Sequence, residues 1–392
     1  MRTYNSTRIA CYAAYVVQSI VNNLSPLFFV IYQKNYNISY SMISFLLLIN
    51  FVTQLVVDIS STLFVGRLGY RKSICLANLV SAAGLMFLPT LPAVLPPMAG
   101  LTIATMVMAA GSGLIEVLAS PLMENLPTKN KAAQMSLLHS FFCWGQVAVV
   151  IFSTLFLHFF NRWQFLPFIW ATVPLANFIN FLTVPIVEPP EEKAGSIQMF
   201  LKSKIFLLLW MVMLCGGACE IAMNQWSSLF AEQALSLPKV WGDLLGPCGF
   251  AVFMGSGRVL YGIFGKKINI HKALTGCGIL CLCSYALTAL SPWPAFSLIG
   301  CMLCGLSVSL MWPGCFSLST EKMNNQGTAM FALLAMGGDL GCSLGPWFTG
   351  ILSDLSLHIG LKPEGLRFGL LCMTIFPAIL LLGLRKIKKE TV

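Results

Sequence analysis

Charge is what this chain of 392 residues has least of: Asp, Glu, Lys and Arg together make up only 10% of it. A soluble domain carries about 25% charged residues to keep its surface hydrated, so most of a water-facing exterior is missing. Histidine is scarce as well. His139, His158, His271 and His358 lie far apart in sequence and form no paired metal motif, so neither a metal-dependent enzyme nor any cofactor is expected. The fourteen cysteines lack framework spacing and sit within apolar runs, where they act as small core residues. "CMLC" at 301–304 has the C-x-x-C form but no second pair. A phosphate loop of the form G-x-x-x-x-G-K-[ST] is missing, because "GIFGKK" lacks its spacing, and an ion gradient becomes the plausible energy source. The first apolar run, 9–32, is too long for a cleavable signal and is expected to remain as a span.

Hydrophobicity is abundant, at 57% apolar residues and a mean hydropathy of +0.79. Windows of about 20 apolar residues are long enough to cross a bilayer as helices. Twelve are present, at 9–32, 41–64, 73–91, 98–122, 134–157, 164–187, 205–230, 243–264, 272–290, 295–318, 328–352 and 367–384. The expected fold is an all-α integral membrane protein with twelve transmembrane helices joined by short turns such as "LPAVLPP" and "SPWP".

Twelve spans put both termini on one side, and lysine and arginine decide which. That side holds Arg2, Arg8, Arg67, Arg71, Lys72, Arg385, Lys386, Lys388 and Lys389 among others, while the opposite side has Lys34, Arg162, Lys239, Lys362 and Arg367. Cytoplasmic termini are therefore expected, in a multi-pass protein of the cell inner (plasma) membrane. The net charge of +10 follows from this asymmetry, and anionic lipid is its natural partner. Nucleic acid is not, since no folded basic domain with interleaved aromatics exists.

The longest connection, "EPPEEKAGSIQMFLKSK" at 188–204, divides the spans six and six. Two six-helix bundles, 1–187 and 205–392, are expected on either side of this cytoplasmic linker. "VGRLGYRK" (65–72) has a weaker echo in "FGKKINIHK" (264–272) at the same place in the second half. A duplicated unit of this kind is the architecture by which transporters alternate access around a midplane site.

Few ionisable groups lie within spans: Asp58, Glu116, Glu220, Arg258 and Asp339, with His139 near a helix end. Each costs about 2.5–3.5 kcal/mol at the bilayer centre on insertion scales, so each is expected to face a hydrated cavity or a partner. Helical spacing puts Gln18, Asn22 and Ser25 on one face, Asn50, Gln54 and Asp58 on another, Gly113, Glu116, Ser120 and Glu124 on a third, and pairs Glu220 with Asn224. Interhelical hydrogen bonding, worth about 0.6 kcal/mol per contact, accounts for neutral Asn50 and Gln54 but does not offset a buried carboxylate. Protonation removes the cost of a charge in a low-dielectric cavity, which makes Glu116 the candidate proton carrier. Arg258 lies at about the depth of Asp58, so either residue suits a gating charge pair or a static one. Asp339 lies in "GGDLGCSLGPW", whose glycines at four-residue spacing permit close helix approach. Trp144, Trp226 and Trp312 are candidate aromatic platforms for a solute, whereas Trp163 and Trp293 at loop edges read as interfacial anchors.

"GRLGYRK" resembles the loop motif between helices 2 and 3 of the major facilitator superfamily, G-x-x-x-D-R-x-G-R-R, with Arg67, Gly69 and Arg71 in place and Gly66 at the aspartate position. The resemblance implies gating or interdomain roles for these residues, with Asp58 substituting for the missing carboxylate. A narrower resemblance is to the fucose/proton symporter branch. Gly113, Glu116, Ala119, Ser120 and Pro121 match its helix 4 pattern G-x-x-E-x-x-A-N-P, "HSFFCWG" supplies His139, Phe141 and Gly145, and "NNL" at 22–24 resembles its helix 1, with Pro26 where an acidic residue stands there. That likeness implies proton coupling through Glu116 and His139. A cavity lined by helices 1, 4, 7 and 10 would draw substrate contacts from Gln18, Asn22, Asn23, Glu220, Asn224, Trp226, Trp312 and Asp339. The expected function is secondary active transport of a small polar solute, a sugar or polyol, by proton symport with alternating access in a monomer. Sodium is the other candidate ion. A proton-coupled exporter of drugs or metabolites is the first rival, and a non-transporting membrane receptor the second.

Overall fold

The computed structural model describes residues 4–127, 131–160, 162–187, 200, 202–264, 268–323, 328–361 and 365–390. Most of the linker expected at 188–204 lies outside the described residues. Among the described residues every regular element is helical. Lipid leaves no water to satisfy backbone N–H and C=O groups, so a helix, which pairs them internally, is the form an apolar run takes.

The elements are α1 (Tyr4–Leu24), α2 (Phe29–Tyr36), α3 (Tyr40–Leu68), α4 (Tyr70–Val94), α5 (Pro97–Glu124), α6 (Lys131–Phe160), α7 (Leu166–Thr183), α8 (Lys204–Gln233), α9 (Lys239–Asp243), α10 (Gly249–Phe264), α11 (Ile270–Leu290), α12 (Pro294–Val308), α13 (Met311–Lys322), α14 (Thr328–Ile359), α15 (Leu366–Cys372) and α16 (Ile375–Glu390). Among the described residues, eleven stretches are long and apolar enough to cross a membrane. The 32-residue α14 completes the twelve spans expected.

Four spans are broken in ways that hydropathy alone does not reveal. The first passes from α1 to α2 through a 3₁₀ turn, Ser25–Phe28, with Pro26 in its opening positions. The eighth joins α9 to α10 through a π-helical turn, Leu244–Cys248, that contains Pro247. Proline supplies no N–H to the helical ladder, so the ladder shifts where it sits. The tenth span turns at Ser309 and Leu310, and the twelfth at Met373 and Thr374.

The chain forms two compact units, Met1–Ile38 with Ile49–Glu191, and Ser39–Leu48 with Glu192–Val392. The first turns of α3 thus belong with the second unit. There the Ser41 backbone N–H donates to Asp354 Oδ2 at 2.7 Å, and the Ser41 hydroxyl donates to the same oxygen. Gly350 lies so close that a Cβ on it would sit 2.4 Å from Ser44 Cβ.

Close approach of backbones holds each unit together, because lipid tails are as apolar as leucine and helices associate by packing. In the first unit α4 and α5 meet where a Cβ on Gly84 would lie 2.2 Å from Met108 N. In the second unit the expected glycine ladder forms. Cβ atoms on Gly337, Gly341 and Gly345 of α14 would lie 2.7 Å from Trp210 Nε1, 1.9 Å from Leu214 O and 2.5 Å from Ala218 O of α8.

Candidate functional site

In the first unit α1 and α5 are joined by two polar contacts one helical turn apart. Gln18 Nε2 donates to Glu116 Oε2, and the Tyr15 and Ser120 hydroxyls share a hydrogen bond of 2.7 Å. Spacings of three on α1 and four on α5 bring both pairs onto one seam. The third wall is α6, from which the His139 ring stands edge-on to Tyr15 at 5.2 Å and Phe141 stacks on Tyr12 at 4.3 Å. Gly145 allows this approach, since a Cβ there would sit 3.0 Å from Ser19 Cβ. Gln18 is buried, Glu116 partly buried and His139 exposed. A carboxyl, an amide, two hydroxyls and an imidazole thus gather within membrane-spanning helices, which is a constellation able to hold and exchange a proton.

Beside it, Asn22 Oδ1 accepts from Gln54 Nε2 at 2.9 Å and from Asn50 Nδ2 at 3.3 Å. A Cβ on Gly113 would lie 2.9 Å from Gln54 Cα and 3.2 Å from Asp58 Oδ1, so the glycine of the helix-4 pattern seats α5 against α3. Asn23, the next residue on α1, is turned toward its own helix. It is buried and donates to Ser19 O at 2.9 Å.

The loop motif has a local task that the sequence does not announce. Gly69, between α3 and α4, adopts φ 85° and ψ 151°, a conformation that side chains disfavour. Arg71 Nη1 and Nη2 then reach Phe181 O at 2.7 Å and Val184 O at 2.9 Å, satisfying carbonyls at the end of α7 within the same unit. Arg67, in the last turn of α3, is exposed.

In the second unit Glu220 Oε1 of α8 lies 3.5 Å from Arg258 Nη2 of α10, the side chains being 8% and 17% exposed. Glu220 Oε2 is buried without a hydrogen-bond partner among the described residues. The candidate substrate contact and the candidate gating cation are therefore partners. Asn224, one turn along α8, is buried. Trp312 is partly buried, with its ring against α14 where a Cβ on Gly338 would sit 2.5 Å from Cη2, and the adjacent Asp339 is partly buried.

Two tryptophans depart from expectation. Trp226 is fully enclosed, its indole N–H bonded to Pro346 O at 3.0 Å and its ring edge-on to Tyr40, so it packs the unit and presents no open platform. Trp163 is buried between Phe28 and Tyr32, at 5.3 and 5.7 Å, and is no interfacial anchor. Trp144 and Trp293 are exposed.

Sequence reasoning missed Asp243. This fully buried carboxylate accepts from the Ser228 hydroxyl and pairs with Lys239 at 3.1 Å, just before the π-helical turn. The i,i+4 spacing of Lys239 and Asp243 is the signal that could have found it.

The sequence model of the Major Facilitator Superfamily matches residues 11–346. A search of curated proteins finds no match. Among solved structures, a bacterial homologue of the human lysosomal transporter Spinster aligns with a TM-score of 0.80 at 14% identity, covering 98% of this chain and 97% of the other. The E. coli fucose:proton symporter FucP aligns at 0.67 and 15% identity, covering 98% and 99%. The nucleoside transporter NupG aligns at 0.77 and 11% identity, again covering 98% and 99%. A fucose symporter and a nucleoside transporter on one backbone, at 15% and 11% identity, show that the likeness is one of fold. With the family match running through most of the twelve spans, the chain belongs to the major facilitator superfamily and is a membrane transporter, not an enzyme.

Proposed function

We propose that this transporter moves a small polar solute, a sugar or related polyol, together with a proton by alternating access. It works as a monomer in the cell inner membrane with both termini cytoplasmic. The observation that carries the reading is the contact of Glu116 with Gln18 inside membrane-spanning helices. A charged carboxylate there is costly and a protonated one is not, so loading a proton from one side and releasing it to the other is the chemistry the group suits. His139, edge-on to Tyr15 on the same seam, passes the proton in this reading. One charge crossing 100 mV gains about 2.3 kcal/mol, enough to drive solute uphill. Within the first unit Gln18 and Asn22 offer amides for hydroxyls, within the second Glu220, Asn224, Trp312 and Asp339 offer carboxylate, amide and aromatic groups, and Asp58, Arg67, Gly69 and Arg71 serve the change of access. FucP, of similar fold, supports a sugar as cargo.

The test uses purified protein in liposomes under an inwardly directed proton gradient. Glu116→Gln is expected to abolish uphill uptake of a labelled sugar while preserving exchange of internal for external solute. Undiminished uphill uptake by that variant refutes the coupling role.

A further inference from the structure

The second unit holds a charge pair that the proton step at Glu116 does not use. Glu220 and Arg258 approach through one oxygen and one nitrogen at 3.5 Å. A strong guanidinium–carboxylate contact is a two-pronged fork at about 2.7–2.9 Å, so this pair is loosely closed. Glu220 Oε2 stays buried with no hydrogen-bond partner among the described residues, and the Arg258 side chain is the more open of the two. The charged side chain facing Glu220 is Arg258. On the helices around α8, Asp339 and Cys342 belong to α14, Cys281 and Tyr285 to α11, and Cys304 to α12. The Tyr285 hydroxyl is turned to Cys219 O.

Two opposite charges in a span neutralise each other, and removing one leaves the other uncompensated. A ligand that takes Arg258 must therefore bring a negative charge, and Glu220 must then accept a proton from water. From this balance we infer that the solute is a polyol bearing one carboxylate, a sugar acid, bound through its carboxylate to Arg258 while Glu220 is protonated. The inference rests on the transport reading above and narrows its solute class. Charge is conserved in the site: Arg258 and Glu220 sum to zero when empty, and the added carboxylate and proton sum to zero when loaded. A neutral sugar supplies no anion to open the pair. A phosphate ester dianion leaves one negative charge over. Protonated Glu220 gains an O–H donor, and Asn224 one turn along α8 adds an amide for the solute's hydroxyls.

The experiment measures thermal stability of the full-length protein in lipid nanodiscs at pH 5.5 and 7.5 with gluconate, glucuronate, glucose, sorbitol or glucose 6-phosphate. Gluconate or glucuronate is expected to raise Tm, with Kd weakening about tenfold per pH unit as the linked proton is lost. Arg258→Gln should remove the effect. Glu220→Gln, which mimics the protonated acid, should keep it and, in a Glu116→Gln background that removes the other coupled proton, erase its pH dependence. The neutral double variant Glu220→Gln with Arg258→Gln preserves charge balance if the single arginine variant does not fold, and it too should lose the effect. A gluconate shift that survives in the double variant overturns the proposal, as does pH dependence that survives in Glu220→Gln combined with Glu116→Gln. Stabilisation by glucose or sorbitol alone overturns the sugar-acid assignment and upholds the broader transport reading. No shift with any of the five probes also overturns the assignment, while uphill uptake in Glu116→Gln still judges the transport reading separately.

Discussion

Gln18 and Glu116, ninety-eight residues apart in sequence, are joined amide to carboxylate across the seam between α1 and α5. The bond connects the donor that positions the candidate proton carrier with the helix that carries it. Gln18→Ala leaves the carboxyl without this donor and is expected to cost about 1–3 kcal/mol, whereas Glu116→Gln keeps an oxygen for the amide and costs less. Thermal unfolding in detergent should rank the two in that order. The reverse ranking would mean that Glu116 is held chiefly by other groups.

Gly341 leaves no room on α14. Because a Cβ there would meet Leu214 O at 1.9 Å, Gly341→Ala must push α14 off α8 and is expected to cost about 1–3 kcal/mol or more. Gly276→Ala on α11 is the control, with nothing within 4 Å, and should be neutral or slightly stabilising. Size-exclusion profiles of the two variants should separate, the first broad and the second like the parent.

Arg71 and Gly69 act together at the turn after α3. Arg71→Lys cannot reproduce the two-pronged grip on Phe181 O and Val184 O, so it should lose stability as Arg71→Ala does. Gly69→Ala is expected to cost about 1–3 kcal/mol through backbone strain. Gly66→Asp, which restores the superfamily's aspartate at a position with nothing within 4 Å, should be tolerated, and equal losses from Gly66→Asp and Gly69→Ala would contradict this account.

Trp226 fills the interior of the second unit. Trp226→Ala should cost about 3–5 kcal/mol, and Trp226→Phe, which loses mainly the bond to Pro346 O, about 1 kcal/mol. The Phe variant should retain the parent's KM for any transported solute. A selective rise in KM without loss of stability would return Trp226 to the binding site.

Much of the site is legible in the sequence because helical periodicity carries it. Glu116 and Ser120, four apart on α5, do face Gln18 and Tyr15, three apart on α1. Asn50 and Gln54 do converge, on Asn22. Their partners are hidden, since a stripe on one helix does not say which helix faces it. Arg258 illustrates this: its place on its own helix does not name Glu220, the carboxylate 3.5 Å from its guanidinium. Trp226 and Trp163 escape the sequence for a related reason, as hydropathy places an indole near an edge but does not say whether neighbours enclose it.

The sequence by itself determined that this protein lives in a bilayer, that it crosses twelve times, and where its costly polar groups fall along each helix. These are properties of each segment against lipid, and a window of about 20 residues contains them. Tertiary structure alone decided how each helix is rotated and which neighbour it meets, and hence that Glu116 finds Gln18, that Arg71 finds the end of α7 and that Asp243 is sealed against Ser228. Lipid gives no preference among apolar faces, so rotation is set by where small residues such as Gly84 and Gly341 let backbones touch, and those contacts join segments far apart in the chain.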